Sequence, residues 1–361
     1  MQRALLVMLL VSLLAPAALA DIGLRPQRQY CGVNRAIPVT VDVPTGTTVV
    51  EIELIDPVAD AVLARRAARE GSVDVAQLFP VLWTSRSEPR VLLAQCVADG
   101  RRIGAPLVLT PMLPPRRATD GLTNEVVTAF ERRDAAYLKR LQDLPDRTRR
   151  ELRERVIIDE PALVPLSGMR VTMLRNVILE TEYGEIEIAV LPWIAPRTSQ
   201  RFVELAAGGL YEQVAFHRVV ASDPQGRPFI IQAGDPTGTG AGGMGAWIDF
   251  EPSTLEHSFG VVSLARRADD PNSNSSQFMI CLSRGGCAKL DGLYTSFGRV
   301  IRGADVVLGI SAVPVGPSDE DDPMSPIDRP LEPVVIETAR SVSTPPWGMQ
   351  LQPVTRPVLR R

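Results

Sequence analysis

Phe216-His217-Arg218-Val219-Val220, Phe229-Ile230-Ile231-Gln232-Ala233-Gly234-Asp235 and Ser276-Gln277-Phe278-Met279-Ile280 are short apolar runs of strand length. Each carries a polar side chain where a plain core strand would carry another aliphatic one. Leu290-Asp291-Gly292 and Ser296-Phe297-Gly298-Arg299-Val300 follow in the same style. Together they offer one permanent cation, two side-chain amides and several large apolar groups, which is equipment for gripping a peptide.

Upstream, Val177–Thr181 and Glu185–Val190 flank Tyr183-Gly184 and read as a hairpin. Pro196 opens a helix through Ala207 that Gly208-Gly209 ends. A second helix is expected near Asp305 to Ala312, and Leu331 to Glu337 reads as a last strand after an acidic, Pro-rich loop at 315–330. Many short strands with two isolated helices fit a closed barrel.

The chain has 361 residues, long for one average domain. Arg3, the apolar run Ala4 to Leu14 and the small residues Ala18-Leu19-Ala20 read as a secretory signal peptide over 1–20. The run is short for a membrane span, and no later segment is apolar enough to be one. The expected location is periplasmic or secreted. Residues 21–170 carry 22 basic against 20 acidic side chains and residues 171–361 carry 16 against 22, so neither half is basic enough to argue for nucleic acid.

Runs Val39–Val43, Thr47–Ile55, Val91–Gln95 and Pro106–Thr110, punctuated by Pro44-Thr45-Gly46 and Asp99-Gly100, predict a small β-rich domain over 21–115. The Ala/Arg-rich piece Ala59 to Glu70 reads as its one helix. Residues 116–170 read as a helical spacer: a helix from Asn124 to Leu144, then one begun by Asp146 and ended before Pro161 and Pro165. Arg132, Arg133, Lys139 and Arg140 alternate with acids there, the pattern of a solvated face. The barrel domain is expected at 171–340 and a disordered Pro/Arg tail at 341–361.

Cys31, Cys96, Cys281 and Cys287 are disulfide candidates in an oxidising compartment, with Cys31–Cys96 and Cys281–Cys287 the sequence-local pairing. A buried free thiol fits Cys281, inside an apolar strand, equally well. No C-x-x-C occurs, and His217 and His257 are the only histidines. A metal site or a Ser/His/Asp hydrolase is therefore not expected. Gly238 to Gly243 satisfies G-x-G-x-x-G, but Met244-Gly245-Ala246-Trp247-Ile248-Asp249 has no helical period, so a dinucleotide site is rejected.

From about Val177 to Glu337, less than half the chain, the ordered set resembles the cyclophilin-type peptidyl-prolyl isomerases. The resemblance implies a closed eight-stranded antiparallel β-barrel with two helices. Arg218 stands at the position of the family's catalytic arginine, and Gln232 at that of the glutamine that holds substrate backbone and orients the arginine. Phe229 and Ile230 take the Phe-Met pocket position, Gln277 a second substrate-binding glutamine, Ala265 a small groove residue, Gly240 the glycine-rich loop and Leu290 the pocket leucine. Met279 replaces a usual pocket phenylalanine, Lys289 a frequent tryptophan and Tyr294 a frequent histidine. Those departures predict a looser pocket and weak binding of cyclosporin-like ligands. The connection Ala221 to Pro228 is longer than in short members.

An X–Pro bond isomerises over a barrier of roughly 18–20 kcal/mol. No nucleophile, metal or cofactor is required, only a dry pocket for the ring, anchors for the backbone and a cation for the twisted amide. The expected function is peptidyl-prolyl isomerisation of proline-containing segments in exported or unfolded polypeptides, with no nucleic-acid partner. A proline-binding chaperone or scaffold of weak turnover is the alternative, favoured by Met279, Lys289 and the longer loop. A third reading gives the main role to the N-terminal domain, as binder of a cell-surface partner.

Overall fold

The computed structural model describes residues 22–84, 89–114, 117–153, 155–159, 165–319, 322 and 324–357. The expected signal peptide and the helix-ending Pro161 lie outside the described residues. No helix among those described is long and apolar enough to cross a membrane.

The N-terminal domain packs a three-stranded sheet (Gly23–Pro26, Pro38–Asp42, Gly71–Asp74) with a six-stranded antiparallel one. The larger sheet runs in the order Tyr30–Gly32, Gly168–Met173, Arg101–Met112, Leu92–Ala98, Val50–Asp56, Ala61–Ala67. Alternation drives the packing, since Val39, Val41, Ile52, Leu54, Leu107 and Leu109 are buried in one cluster. Two short turns, Val75–Leu78 and Val81–Thr84, close one end.

Three expectations change here. The Ala/Arg-rich piece forms the edge strand Ala61–Ala67 instead of a helix, paired with Val50–Asp56. Its helical propensity is overridden by cross-strand charge, because Arg65 bonds the buried carboxylate of Glu53 and approaches Glu51 at 3.5 Å. The long helix expected from Asn124 to Leu144 is two, Gly121–Glu131 and Ala135–Gln142. The break falls where Arg133 adopts a φ of 54° and Asp134 caps the next helix by accepting from the Tyr137 N–H at 2.8 Å. Val127 and Phe130, expected on the packed face of that helix, are exposed. The domain boundary moves too: Gly168–Met173 sits inside the N-terminal sheet, beside Arg101–Met112, so the helical segment is an excursion from that domain and not a spacer after it. A third helix, Asp146–Arg153, and the strand pair Arg117–Asp120 with Val156–Asp159 complete the excursion.

The second domain is an antiparallel barrel of nine strand segments. Their order is Val214–Phe216, Val334–Ser343, Arg175–Thr181, Gly184–Val190, Ser296–Arg302, Val261–Leu264, Phe278–Cys281, Pro228–Ala233, Arg218–Ser222. The first and last of these are consecutive in the chain, separated only by His217, so Val214–Ser222 acts as one strand broken at that residue and closes the ring. Eight strands result when it is counted once. Helices Pro196–Ala207 and Ala304–Ser311 pack on the barrel. Glu251 caps the first, accepting from the Arg197 N–H at 3.0 Å and the Thr198 N–H at 2.7 Å.

Inside the barrel, Phe202, Tyr211, Phe216, Phe278 and Phe297 are buried together, with neighbouring ring centroids 4.9–6.5 Å apart. Burying such rings contributes roughly 1.5–3 kcal/mol each over exposure. The Tyr211 hydroxyl donates to the Ser276 carbonyl at 3.1 Å, and burial pushes its pKa up. The expected loop at 315–330 contains a small antiparallel pair, Val315–Pro317 with Ile327–Pro330.

The expected disordered tail instead clasps the two domains, as far as residue 357. Trp347 stacks edge-on against Trp193 of the barrel domain at 5.3 Å. On the N-terminal domain its indole donates to Asp60 at 2.8 Å and its backbone N–H to Gln95 at 2.9 Å. The Val354 N–H then returns to the Val300 carbonyl of the barrel at 3.0 Å. A cavity of about 380 Å³ remains at the domain junction, walled by Gln29, Arg170, Met173, Ser199 and Val203 among others.

All four cysteines are free thiols. Cys31 and Cys96 cannot pair, because two strands separate theirs in the sheet. At about 4.8 Å per strand that is well beyond the roughly 7 Å limit for bridged Cα atoms. Cys281 and Cys287 lie together on the barrel.

Candidate active site

Strand register assembles the site. Arg218 pairs with Gln232, Gln232 with Met279, and Met279 with Ser263, which places the four in a row across four adjacent strands. Period-two alternation separates two populations. Val219, Ile231, Phe278, Ile280 and Val262 point into the barrel, while Arg218, Gln232, Met279 and Ser263 share the opposite face. The polar residues that interrupt the sequence runs therefore belong to an outer groove rather than to the core.

A chain of hydrogen bonds runs along that groove. Arg218 donates through Nη1 to Gln232 Oε1 at 3.4 Å, and Gln232 donates through Nε2 to Gln277 Oε1 at 2.8 Å. Gln277 Nε2 in turn donates to the carbonyls of Gly240 and Gly242 at 2.9 and 2.8 Å. Each amide is thereby committed at both ends, which fixes its orientation. The Arg218 side chain stays 41% exposed, whereas both glutamines are largely buried. The cation is the member of the chain that can meet a ligand.

The glycine-rich loop is pinned from below by Asp235. Its carboxylate accepts from the N–H groups of Thr237, Gly240 and Gly242 at 2.8, 2.7 and 3.0 Å. Burial pushes the Asp235 carboxyl up, but the bonds from Thr237, Gly242 and Gly240 outweigh it and hold it below the usual carboxylate value. Gly240 has a φ of +83°, a left-handed conformation that favours glycine, and it lies beside the His217 ring at ordinary contact distance. The His217 ring nitrogens are buried with no aligned partner among the described residues, and burial lowers the pKa of the ring.

The apolar wall is a separate cluster on the same face. Ile230, Met279 and Leu290 are buried together, with Phe229 and Tyr294 packed against them. Ala265 joins through its N–H, which donates to the Gln277 carbonyl at 2.9 Å. Two cations cover the aromatic rims: Lys289 Nζ lies 4.2 Å from the Phe229 ring centre and the Arg266 guanidinium 4.9 Å from that of Tyr294. Behind the wall, Cys287 Sγ donates to the Phe229 carbonyl at 3.0 Å.

All ten residues expected to act or to bind substrate thus lie around one groove, and none of them lines the cavity at the domain junction. Two further side chains belong to it that sequence reasoning assigned no role. Asp235 carried a local signal, an acid immediately before a Thr/Gly loop, the pattern of a side chain bonding its own backbone. Asp328 carried none: it reaches Arg218 from 110 residues away, accepting from its Nε at 2.7 Å. Among the described residues no cluster of His, Cys, Asp and Glu could hold a metal ion.

Comparison with known proteins bears on the family of the barrel domain. The sequence model for cyclophilin type peptidyl-prolyl cis-trans isomerases matches residues 176–341. Peptidyl-prolyl cis-trans isomerase ppi1 of Schizosaccharomyces pombe is 40% identical over 168 residues, 45% of this chain and 96% of that protein. Peptidyl-prolyl cis-trans isomerase-like 2 of Rhizopus delemar is 40% identical over 147 residues, but this chain spans only 26% of its length. A crystal structure of a Cryptosporidium parvum cyclophilin type isomerase in the presence of the dipeptide Ala-Pro aligns with a TM-score of 0.40 and 30% identity, over 47% of this chain and 99% of that one. The match to the fission-yeast protein spans nearly the whole of that relative, and the family model begins at residue 176, just past the strand Gly168–Met173 of the N-terminal sheet. Through its C-terminal barrel, this chain belongs to the cyclophilin-type peptidyl-prolyl cis-trans isomerase family.

Proposed function

We propose that the chain catalyses cis-trans isomerisation of X–Pro bonds in exported or unfolded polypeptides, with Arg218 as its catalytic residue. The observation that carries this reading is the juxtaposition of a half-exposed guanidinium with an apolar wall on one face of the sheet. A proline ring seated against Phe229, Ile230, Met279 and Leu290 leaves its amide facing Arg218. As the amide twists, its nitrogen regains a lone pair that a fixed cation stabilises more than it does the planar ground state. Gln232 holds the guanidinium in place and Gln277 holds the loop that carries Gly240, so substrate backbone meets prearranged groups. No proton leaves the substrate, which suits a permanently charged group.

The expected leader at 1–20 supports export to the periplasm or the medium. In such a compartment Cys281 and Cys287 are the pair to close, since they lie side by side.

A protease-free isomerisation assay on the full chain tests the reading. Arg218→Ala should lower kcat/KM by about a hundredfold, the scale of losing one preorganised charge donor. Unchanged turnover would remove Arg218 from the mechanism. One observation favours a proline-binding chaperone of weak turnover: Lys289 sits over the Phe229 ring and narrows the apolar wall. Peptide binding without exchange between cis and trans would establish that alternative.

A further inference from the structure

We propose that Asp328 is a positioning residue for the isomerase reaction, holding the Arg218 guanidinium in its working orientation from the hairpin Val315–Pro317/Ile327–Pro330. The inference rests on the assignment of Arg218 as the catalytic residue. An arginine on a strand has four rotatable side-chain bonds, and Gln232 alone grips it weakly, at 3.4 Å. The strong contact is on the other side, where Nε donates to Asp328 Oδ2 at 2.7 Å. Binding at Nε fixes the plane of the fork and leaves the Nη end to face the groove.

Asp328 is built for that task. It is 6% exposed, while its neighbours Ile327 and Arg329 face solvent. Its second oxygen accepts a short hydrogen bond from the Ser318 hydroxyl, across the same hairpin. Both oxygens are therefore engaged, and the carboxylate cannot swing away without leaving a buried charge unpaired. The hairpin itself packs against the strand Arg218–Ser222 that carries the arginine. The acidic, Pro-rich segment at 315–330 thus acquires a function: it delivers one carboxylate to the back of the catalytic cation. The order of support is Ser318 to Asp328 to Arg218 to Gln232 to Gln277, with the reacting amide meeting only the middle member.

The experiment is a double-mutant cycle on the full chain, with kcat and KM measured separately and thermal midpoints recorded. Asp328→Ala should lower kcat about tenfold with KM within about twofold. Asp328→Asn, which keeps an oxygen acceptor of the same size, should recover part of the loss. In an Arg218→Ala background the Asp328→Ala change should have no further effect. Equal losses in both backgrounds would show a general role in the fold and overturn the proposal, as would unchanged or increased turnover of Asp328→Ala alone. Should Asp328→Ala not fold, Ser318→Ala provides the second route, with a smaller fall of about threefold in kcat that must likewise vanish without Arg218. An active Arg218→Ala enzyme would overturn both readings. An impaired Arg218→Ala with an unaffected Asp328→Ala would overturn only this one.

Discussion

The two domains each bury carboxylates against a sheet, and they satisfy them differently. In the N-terminal domain Glu53, 1% exposed, is bonded by Arg65 and Arg102, whose other contacts are also structural, Arg65 with Glu51 at 3.5 Å and Arg102 with the Trp347 carbonyl at 3.1 Å. In the barrel, Asp235 is satisfied by backbone N–H groups of a loop and Asp328 by an arginine that faces a groove. Neutralising a buried acid is a structural end in the first domain. In the second it is a means of holding something else still. Charge burial alone therefore marks no site, since buried Glu251 in the barrel only caps a helix; what distinguishes Asp235 and Asp328 is that each holds a group bordering the groove.

Glu53→Ala offers the hardest test of that contrast. Removing the shared acid should destabilise the N-terminal domain by about 2 kcal/mol, less than a fully buried pair because both arginines reach solvent. Denaturant unfolding should register the loss while isomerase activity stays level. A fall in turnover would mean that the N-terminal sheet acts on the groove.

Trp347→Ala cuts the clasp where the two tryptophans pack on the small buried cluster of Ile55, Val91, Leu93, Val108 and Leu174, leaving the main core of each domain intact. The lost indole contacts with Trp193 and Asp60 should cost about 1.5 kcal/mol, and the two domains should then melt as separate transitions in calorimetry. A single unaltered transition would show that the remaining junction already couples them.

The smallest effect is one of pH, and only the barrel should show it. Both histidines of the chain are there, and burial lowers the pKa of each. Unfolded histidine takes a proton near pH 6.5, whereas the folded forms resist until lower pH, so the unfolded state binds more protons in between. Stability from this source is complete above about 6.5 and is lost as pH falls toward the folded values, by at most about 1.4 kcal/mol per pH unit for each ring. Domain-resolved hydrogen exchange at pH 7.5 and 5.5 should find the barrel loosened and the N-terminal sheets unchanged over that window.

Most of the barrel was legible in its residues because period-two alternation and turn chemistry agree with the final pairing, from the hairpin after Val177 to the helix at Pro196. The N-terminal domain was less so. Ala61–Ala67 has helical composition, and its pairing with the preceding strand Val50–Asp56, acids opposite Arg65, makes it a strand. Gly168–Met173 lies far from Tyr30–Gly32 in the chain and beside it in the sheet, a pairing no local pattern encodes. The same holds in the groove. Arg218, Gln232 and Gln277 stand out as polar interruptions of apolar strands, but Asp328 is one acid among several in its segment, and only the packing of its separate hairpin on the strand Arg218–Ser222 brings it to the arginine.

The placement of Gly168–Met173 has a consequence for biosynthesis. As the chain emerges, the N-terminal sheet lacks an interior strand until residue 173 is available, and the helical excursion must fold back before that strand can insert. Tyr30–Gly32 would wait with no sheet neighbour, and the edge of Arg101–Met112 would stay open to other chains. The clasp at Trp347 arrives later still, after the barrel that Trp193 belongs to. In the order of synthesis, the strand that completes the N-terminal sheet therefore becomes available just before the first strand of the barrel, Arg175–Thr181.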